Sequence, residues 1–329
     1  NGGVDGGSAT MADAETGDSA GAPTTCDLPA RFKWKASGPL VAPKSPPGHD
    51  FVSIKDPTVV YWNGLFHIYA TVYDRTTRGW NMVYLNFSDW SQANAAPQFY
   101  MQNSPTHGGV APQLFYFTPK KKWVLVYQWG ASFSVTDDPS KPETWSPPAS
   151  LLLGAPDNAL DFWVICDSAN CYLFFSNDRG QLYQAQMPIE RFPSAFSDAK
   201  VLMSDSAANL FEASNVFKVQ GTDKYLLLVE AYGPRYFRSW TAANLAGPWE
   251  PLAATQQNPF AGKANVTFDG AAWTNDISHG DMIRTNPDET MTIDSCNMQF
   301  VFQGADPNAN TGGDYGLTPY RLGVLTATP

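Results

Sequence analysis

Asp56, Asp161 and Glu212 each stand directly before an apolar run with the composition of a β-strand: Lys55-Asp56-Pro57-Thr58-Val59-Val60, Leu160-Asp161-Phe162-Trp163-Val164 and Phe211-Glu212-Ala213. A carboxylate at a strand entrance sits at the mouth of a sheet, not in its interior. Pro57, with a fixed φ and no N–H, suits the first residue of a strand. Three such groups brought together repel and raise one another's pKa, which is costly unless chemistry uses them. Two carboxylates in an aromatic-rich, weakly charged setting are the equipment of glycoside hydrolysis. Taken singly, each is better read as a strand cap bonded to local N–H groups; their repetition favours catalysis. Other chemistries lack their motifs: there is no Gly-X-Ser-X-Gly elbow, no His-Glu-X-X-His pair and no phosphate loop. Of four dispersed histidines, His279 in Ser278-His279-Gly280-Asp281 is expected to face the same site, either as a satisfied structural residue or as a ligand for an ion or water.

The elements that must position these groups recur along the chain. Val59–Trp62, the turn Asn63-Gly64 and Phe66–Val72 read as a hairpin, followed by a strand over Asn81–Phe87. Comparable units begin near 56, 111, 161, 212 and 281, the last with expected strands over Asp281–Arg284, Thr290–Asp294, Gln299–Gln303 and Tyr320–Thr326. Repeats of this length with three or four strands each indicate an all-β fold, a five-bladed β-propeller. In such a ring the first strand of each blade lines the central channel, so the three carboxylates, in register, converge at one end of the axis. Helix is nearly absent; one turn is expected within Pro188–Phe196.

Composition narrows the partners. Charged residues are 16% and aromatics 14% with 11 Trp, a balance suited to a flat uncharged ligand such as a sugar, though large β cores also use many rings. A net charge of −10 disfavours nucleic acid and anionic membrane surfaces, and the longest apolar runs are too short to span a bilayer. Residues 1–25 are rich in Gly, Ser, Ala, Thr and Asp and read as a flexible tail or linker, with the folded catalytic domain over 26–329. Four cysteines allow three pairings. Cys166 and Cys171 flank a short turn, and a Cys26–Cys296 bond would join the start of the domain to its last blade, so these two bridges are expected over four reduced thiols. With the sequons at Asn86 and Asn265, this fits a secreted, extracellular protein.

The chain resembles glycoside hydrolase family 62, the α-L-arabinofuranosidases acting on arabinoxylan. The resemblance covers about 26–329 and rests on Cys26-Asp27-Leu28-Pro29, the run from Arg31 to Leu40, Lys55-Asp56-Pro57-Thr58, Tyr127-Gln128-Trp129-Gly130, the run from Leu160 to Asp167, Leu210-Phe211-Glu212-Ala213, Gly313-Asp314-Tyr315 and Pro319-Tyr320-Arg321-Leu322-Gly323. It implies an inverting enzyme with Asp56 as general base, Glu212 as general acid and Asp161 as the group that orients the acid and tunes its pKa. It further implies that Lys55, Trp129, Tyr315 and Arg321 line an arabinose pocket. No cofactor is needed for the chemistry, but a structural calcium in the channel with His279 near it is implied. The sequence departs from some relatives at Gly316, where they carry a polar side chain. The expected partners are arabinoxylan and arabinoxylo-oligosaccharides, met by a monomer. The alternatives are a related propeller glycosidase acting on arabinan or xylosides, and a xylan-binding propeller without catalysis.

Overall fold

Alternating apolar runs broken by Gly, Asn and Asp turns fold as antiparallel hairpins in a computed structural model that describes residues 25–329; the expected tail, apart from Thr25, lies outside the described residues. The Asn63-Gly64 hairpin shows why the turns form where they do. Both residues have positive φ, 51° and 78°, the twist that a two-residue turn needs to match its strands.

Five sheets surround a channel. Blade one comprises Phe51–Trp62, Leu65–Asp74, Gly79–Phe87 and Phe99–Tyr100, hydrogen-bonded in that order. Blade two comprises Val110–Phe117, Lys122–Gln128, Ser132–Thr136 and Ala149–Ser150, and blade three Leu160–Cys166, Asn170–Ser176, Gln181–Pro188 and Lys200–Ser204. Blade four comprises Glu212–Val219, Tyr225–Ala231, Tyr236–Ala242 and Glu250–Pro251. Blade five is built from both ends of the domain: Ser278–Met282, Gln299–Gly304 and Arg321–Ala327, then Trp34–Ala36 antiparallel to the last of these, and Val266–Phe268 outermost. Helix is confined, among the described residues, to short 3₁₀ turns; one of these, Ile189–Arg191, falls where a turn was expected. No helix among them is long and apolar enough to cross a membrane.

Blade five corrects one expectation. Thr290–Asp294 is not one of its strands. Instead Thr292–Ile293 pairs in parallel with the inner strand of blade four. The segment leading to it crosses the far end of the channel. Pro287 O accepts Tyr116 N–H of blade two at 2.7 Å, and Glu289 O accepts Cys166 N–H of blade three at 2.8 Å. Beside it, the buried Arg284 guanidinium donates to Val59 O at 2.8 Å and Leu114 O at 2.9 Å. These bonds satisfy inner-strand groups that would otherwise face an open channel, and they make it blind at that end.

The blades pack through apolar faces rich in Phe and Trp, and some indole N–H groups bond across the seams, as Trp163 Nε1 does to Val216 O at 2.9 Å. Both expected disulfides are present, Cys26–Cys296 with Cα atoms 5.2 Å apart and Cys166–Cys171 with Cα atoms 4.0 Å apart. The two sequons are occupied structurally. Asn265 Nδ2 donates to the carbonyls of Phe32, Pro259 and Phe260 at 2.9–3.0 Å, so a glycan on that nitrogen would cost the loop these bonds. Asn86 lies within the strand Gly79–Phe87, half-buried, with Nδ2 donating to Tyr84 Oη at 2.6 Å. Neither Asn is presented as an exposed loop acceptor.

Candidate active site

The inner strand of every blade is broken by a bulge at the same height. Pairing jumps between Lys55 and Thr58, Val110 and Gln113, Leu160 and Trp163, Glu212 and Asn215, and Ser278 and Gly280. In the first four, two residues oppose one; in blade five, His279 is a single extra residue. The first bulged residue of blades one to four has a left-handed backbone: Asp56 at φ 46°, Ala111 at 45°, Asp161 at 55° and Ala213 at 55°. This conformation costs a residue with a side chain roughly 1–2 kcal/mol, and bulges of this kind re-aim side chains beside active sites. The bulge settles the relation of Lys55 to Asp56. In a regular strand these neighbours would point to opposite faces; here Lys55 Nζ lies 3.4 Å from Asp56 Oδ1.

The bulges also correct the expected register. Asp56, Ala111, Asp161, Ala213 and His279 are the equivalent residues, and Glu212 stands one position earlier, level with Lys55, Val110, Leu160 and Ser278. Glu212 thus meets the other two carboxylates from a different step of its strand.

Asp56, Asp161, Glu212, Lys55, Trp129, Tyr315 and His279 all line one cavity of about 760 Å³ at the open end of the channel. Its floor is a charge cluster taken out of water. Burial alone would raise Asp56, but the Lys55 ammonium and His279, whose Nδ1 lies 3.2 Å from Asp56 Oδ1, outweigh it and hold the carboxyl well below the usual range. Burial pushes Asp161 up, and although His279 opposes this, the Glu212 and Asp56 carboxylates add to it. His279 itself is raised to about 9: burial would lower it, but the Asp161 and Asp56 carboxylates prevail. Asp161 Oδ2 accepts the backbone N–H of Ala213 at 2.9 Å, which fixes the residue next to Glu212. Lys55 donates to Tyr315 Oη at 2.8 Å and lies 4.7 Å from the centre of the Trp80 ring and 4.8 Å from that of Tyr315, a cation held between aromatic faces. Trp129 is 66% exposed, a ring free to stack on a ligand at the rim.

One expectation does not fit, and another is not shown. Arg321 is not among the residues lining the cavity; its guanidinium donates to the carbonyls of Val52 and Tyr320 at 2.9 and 2.8 Å, a backbone staple between blades five and one. The calcium expected in the channel near His279 is not shown. Calcium takes six to eight oxygen ligands; His279 Nδ1 faces two carboxylates, and no group of three or more His, Cys, Asp or Glu among the described residues is placed to hold a metal. The departure at Gly316 is explained by packing: a Cβ there would meet Tyr73 Cζ at 2.5 Å.

The structure adds residues that the sequence did not single out. Arg235 donates through one nitrogen to both Glu212 and the fully buried Glu230. Asp178, half-buried on the cavity wall, is pushed up to about 7 by burial and then by the Glu212 carboxylate. Gln128 Oε1 accepts Asp161 N–H at 2.7 Å, and Gln303 Oε1 accepts Asp56 N–H at 2.6 Å. A signal for three of these was present, since Gln128, Glu230 and Gln303 each follow an apolar run at the same place in the second strand of a blade.

The Glycosyl hydrolase family 62 model matches residues 33–326. Alpha-L-arabinofuranosidase C of Cellvibrio japonicus is 47% identical over 307 residues, which is 92% of this chain but 48% of that protein, so the chain spans about half the length of that relative. An α-L-arabinofuranosidase from Podospora anserina, solved in complex with cellotriose, is 42% identical with a TM-score of 0.87, covering 92% of this chain and 99% of that one. A GH62 hydrolase solved in complex with xylotriose is 41% identical with a TM-score of 0.85, covering 90% and 98%. Matched along almost all of its described length by model, sequence and fold, this chain belongs to glycosyl hydrolase family 62.

Proposed function

We propose that the chain is a secreted, inverting, exo-acting α-L-arabinofuranosidase that removes single arabinofuranosyl side groups from arabinoxylan. The observation that carries this reading is the blind cavity, which gathers Asp56, Asp161 and Glu212 from three blades while the crossing segment closes the far end. Such a pocket accepts the terminus of a side branch and excludes a chain that must pass through. Asp56, ionised because of Lys55 and His279, acts as the base that takes a proton from the attacking water. Glu212 gives its proton to the departing xylan oxygen. Asp161, bonded to Ala213 N–H, holds the strand step that carries Glu212 and places a second carboxyl beside it. Lys55, Tyr315 and Trp129 are the sugar-binding groups. The relatives named above, arabinofuranosidases and hydrolases solved with xylotriose or cellotriose, support the reaction and a β-1,4-linked backbone at the rim. The two disulfides support an oxidising, extracellular setting. No cofactor is assigned to the reaction.

The test is product analysis on wheat arabinoxylan, linear arabinan and xylobiose, with proton NMR of the first-formed sugar. Arabinose should be released as the β anomer from a xylan that stays long. Shortened xylo-oligosaccharides as main products, or a first-formed α anomer, would overturn the reading. Glu212→Ala should lose several decades of rate on arabinoxylan and far less on a nitrophenyl arabinofuranoside, whose leaving group needs no proton, while Asp56→Ala should be severely impaired on both.

A further inference from the structure

The bulges leave one inner-strand N–H per blade without a ladder partner, and in four of the five blades the same position of the fold supplies the acceptor. The residue that pairs with the last one before the bulge reaches to the next blade: Thr71 Oγ1 takes Ala111 N–H at 2.8 Å, Gln128 takes Asp161 N–H, Glu230 Oε2 takes His279 N–H at 2.8 Å, and Gln303 takes Asp56 N–H. Blade three has Ser176 at this position. Its hydroxyl is too short to reach, finds no partner, and Asp161 performs the task itself. In blades four and five these clamps are joined. Gln303 Nε2 donates to Ser278 Oγ at 3.1 Å, Ser278 Oγ donates to Glu230 Oε1 at 2.8 Å, and the same Glu230 oxygen accepts Arg235, which also holds Glu212. Glu230, Ser278 and Gln303 are all fully buried.

We propose that Gln303 and Glu230 are the positioning residues of the base and the acid, linked through Ser278 and Arg235 into one buried chain that sets where Asp56 and Glu212 stand relative to each other. The proposal rests on the assignment of Asp56 as base and Glu212 as acid. Gln303 acts on the base because its amide oxygen is the acceptor for the bulged Asp56 N–H. Glu230 acts on the acid because it shares a guanidinium with Glu212: take away its charge, and Arg235 is left to Glu212 alone, gripping the carboxylate that must carry a proton to the leaving oxygen. A misplacement of about 1 Å in such a group costs on the order of 100-fold in rate.

The two links make different predictions. Gln303→Met, similar in size but without the acceptor, should lower kcat about 10- to 100-fold on arabinoxylan and on a nitrophenyl arabinofuranoside alike, with KM little changed. Glu230→Gln keeps acceptors for His279 N–H and Ser278 but loses the charge; it should lower kcat about 100-fold on arabinoxylan and only a few-fold on the nitrophenyl substrate. A purely structural role would lower thermal stability without separating the leaving groups. Unchanged kcat in Gln303→Met, or equal losses on both substrates in Glu230→Gln, would overturn the proposal. Glu212→Ala and Asp56→Ala run beside them, so a failure of the acid and base assignment itself is seen separately. If Glu230→Gln does not fold, Ser278→Ala cuts the chain at its middle link; it should lower kcat on both substrates, and wild-type rates would refute the linkage.

Discussion

Replacing Lys55 by Met tests the electrostatic setting of Asp56, the proposed base. The ammonium lies 3.4 Å from Asp56 Oδ1, and both groups are buried. At an effective dielectric of about 20, a unit pair at that distance interacts by roughly 5 kcal/mol, equivalent to about 3.5 pH units in the titration of the carboxyl. That figure is a ceiling, because His279 stays 3.2 Å away and retains its charge. Lys55 is itself held above its ordinary value: burial lowers it, but Asp56, Tyr315 and Glu212 outweigh this, so it is cationic wherever the enzyme works. With Met at 55, burial acts on Asp56 against only His279 and the Thr71 hydroxyl, and its pKa should rise by about two to three units. A base must be unprotonated, so a raised pKa removes activity as pH falls through it. The measurement is kcat/KM against pH on a nitrophenyl arabinofuranoside, which dispenses with the acid. The acidic limb of Lys55→Met should move to higher pH by about two to three units. A uniform fall in rate with the limb unmoved would mean that Lys55 serves only to bind sugar, and would refute the electrostatic argument.

Gly316→Ala should drive a methyl into the buried Tyr73 ring, which packs 4.6 Å from Trp80 beneath Lys55. Overpacking of this kind costs about 1–3 kcal/mol, to be read as a lower thermal midpoint, and the displaced Tyr315 should raise KM. Replacing Cys26 and Cys296 together by Ser should cost about 2–5 kcal/mol of stability, because the bond closes a separation of 270 residues, while kcat at moderate temperature stays near wild type. An unchanged thermal midpoint would show that the strand pairing of blade five closes the ring without it.

The ring was legible in the sequence because its turns and apolar runs repeat, and Asp56, Asp161, Glu212, Lys55, Trp129, Tyr315 and His279 were legible because each lies in a motif at a strand entrance or loop. What stayed hidden was set by the bulges. A left-handed Ala213 has no local signature, so Glu212 was aligned with Asp56 and Asp161 although it sits one residue earlier. Blade five was misassembled for a related reason: Thr292–Ile293 looks like a hairpin partner along the chain, but its hydrogen bonds are needed across the channel, in blade four. Arg321 was placed in the pocket on motif alone, and only the carbonyls of Val52 and Tyr320 reveal where its charge goes. Arg235 and Glu230 become visible as a pair only when two neighbouring strands are laid side by side.

Trp34–Ala36 waits for its parallel partner Val266–Phe268, and for its antiparallel partner Arg321–Ala327 until almost three hundred residues later. During synthesis, therefore, four blades are complete while the ring is still an open arc. The order has a consequence for the reactive groups. Asp161 can take its place when Gln128 is already present, and the segment around Glu212 follows soon after. Asp56 leaves the ribosome before either, yet the amide oxygen that seats it belongs to Gln303 and arrives last. On the proposed roles, a nascent chain receives the anchors of its acid before the anchor of its base, and Asp56 is seated only when the final blade has closed behind the first.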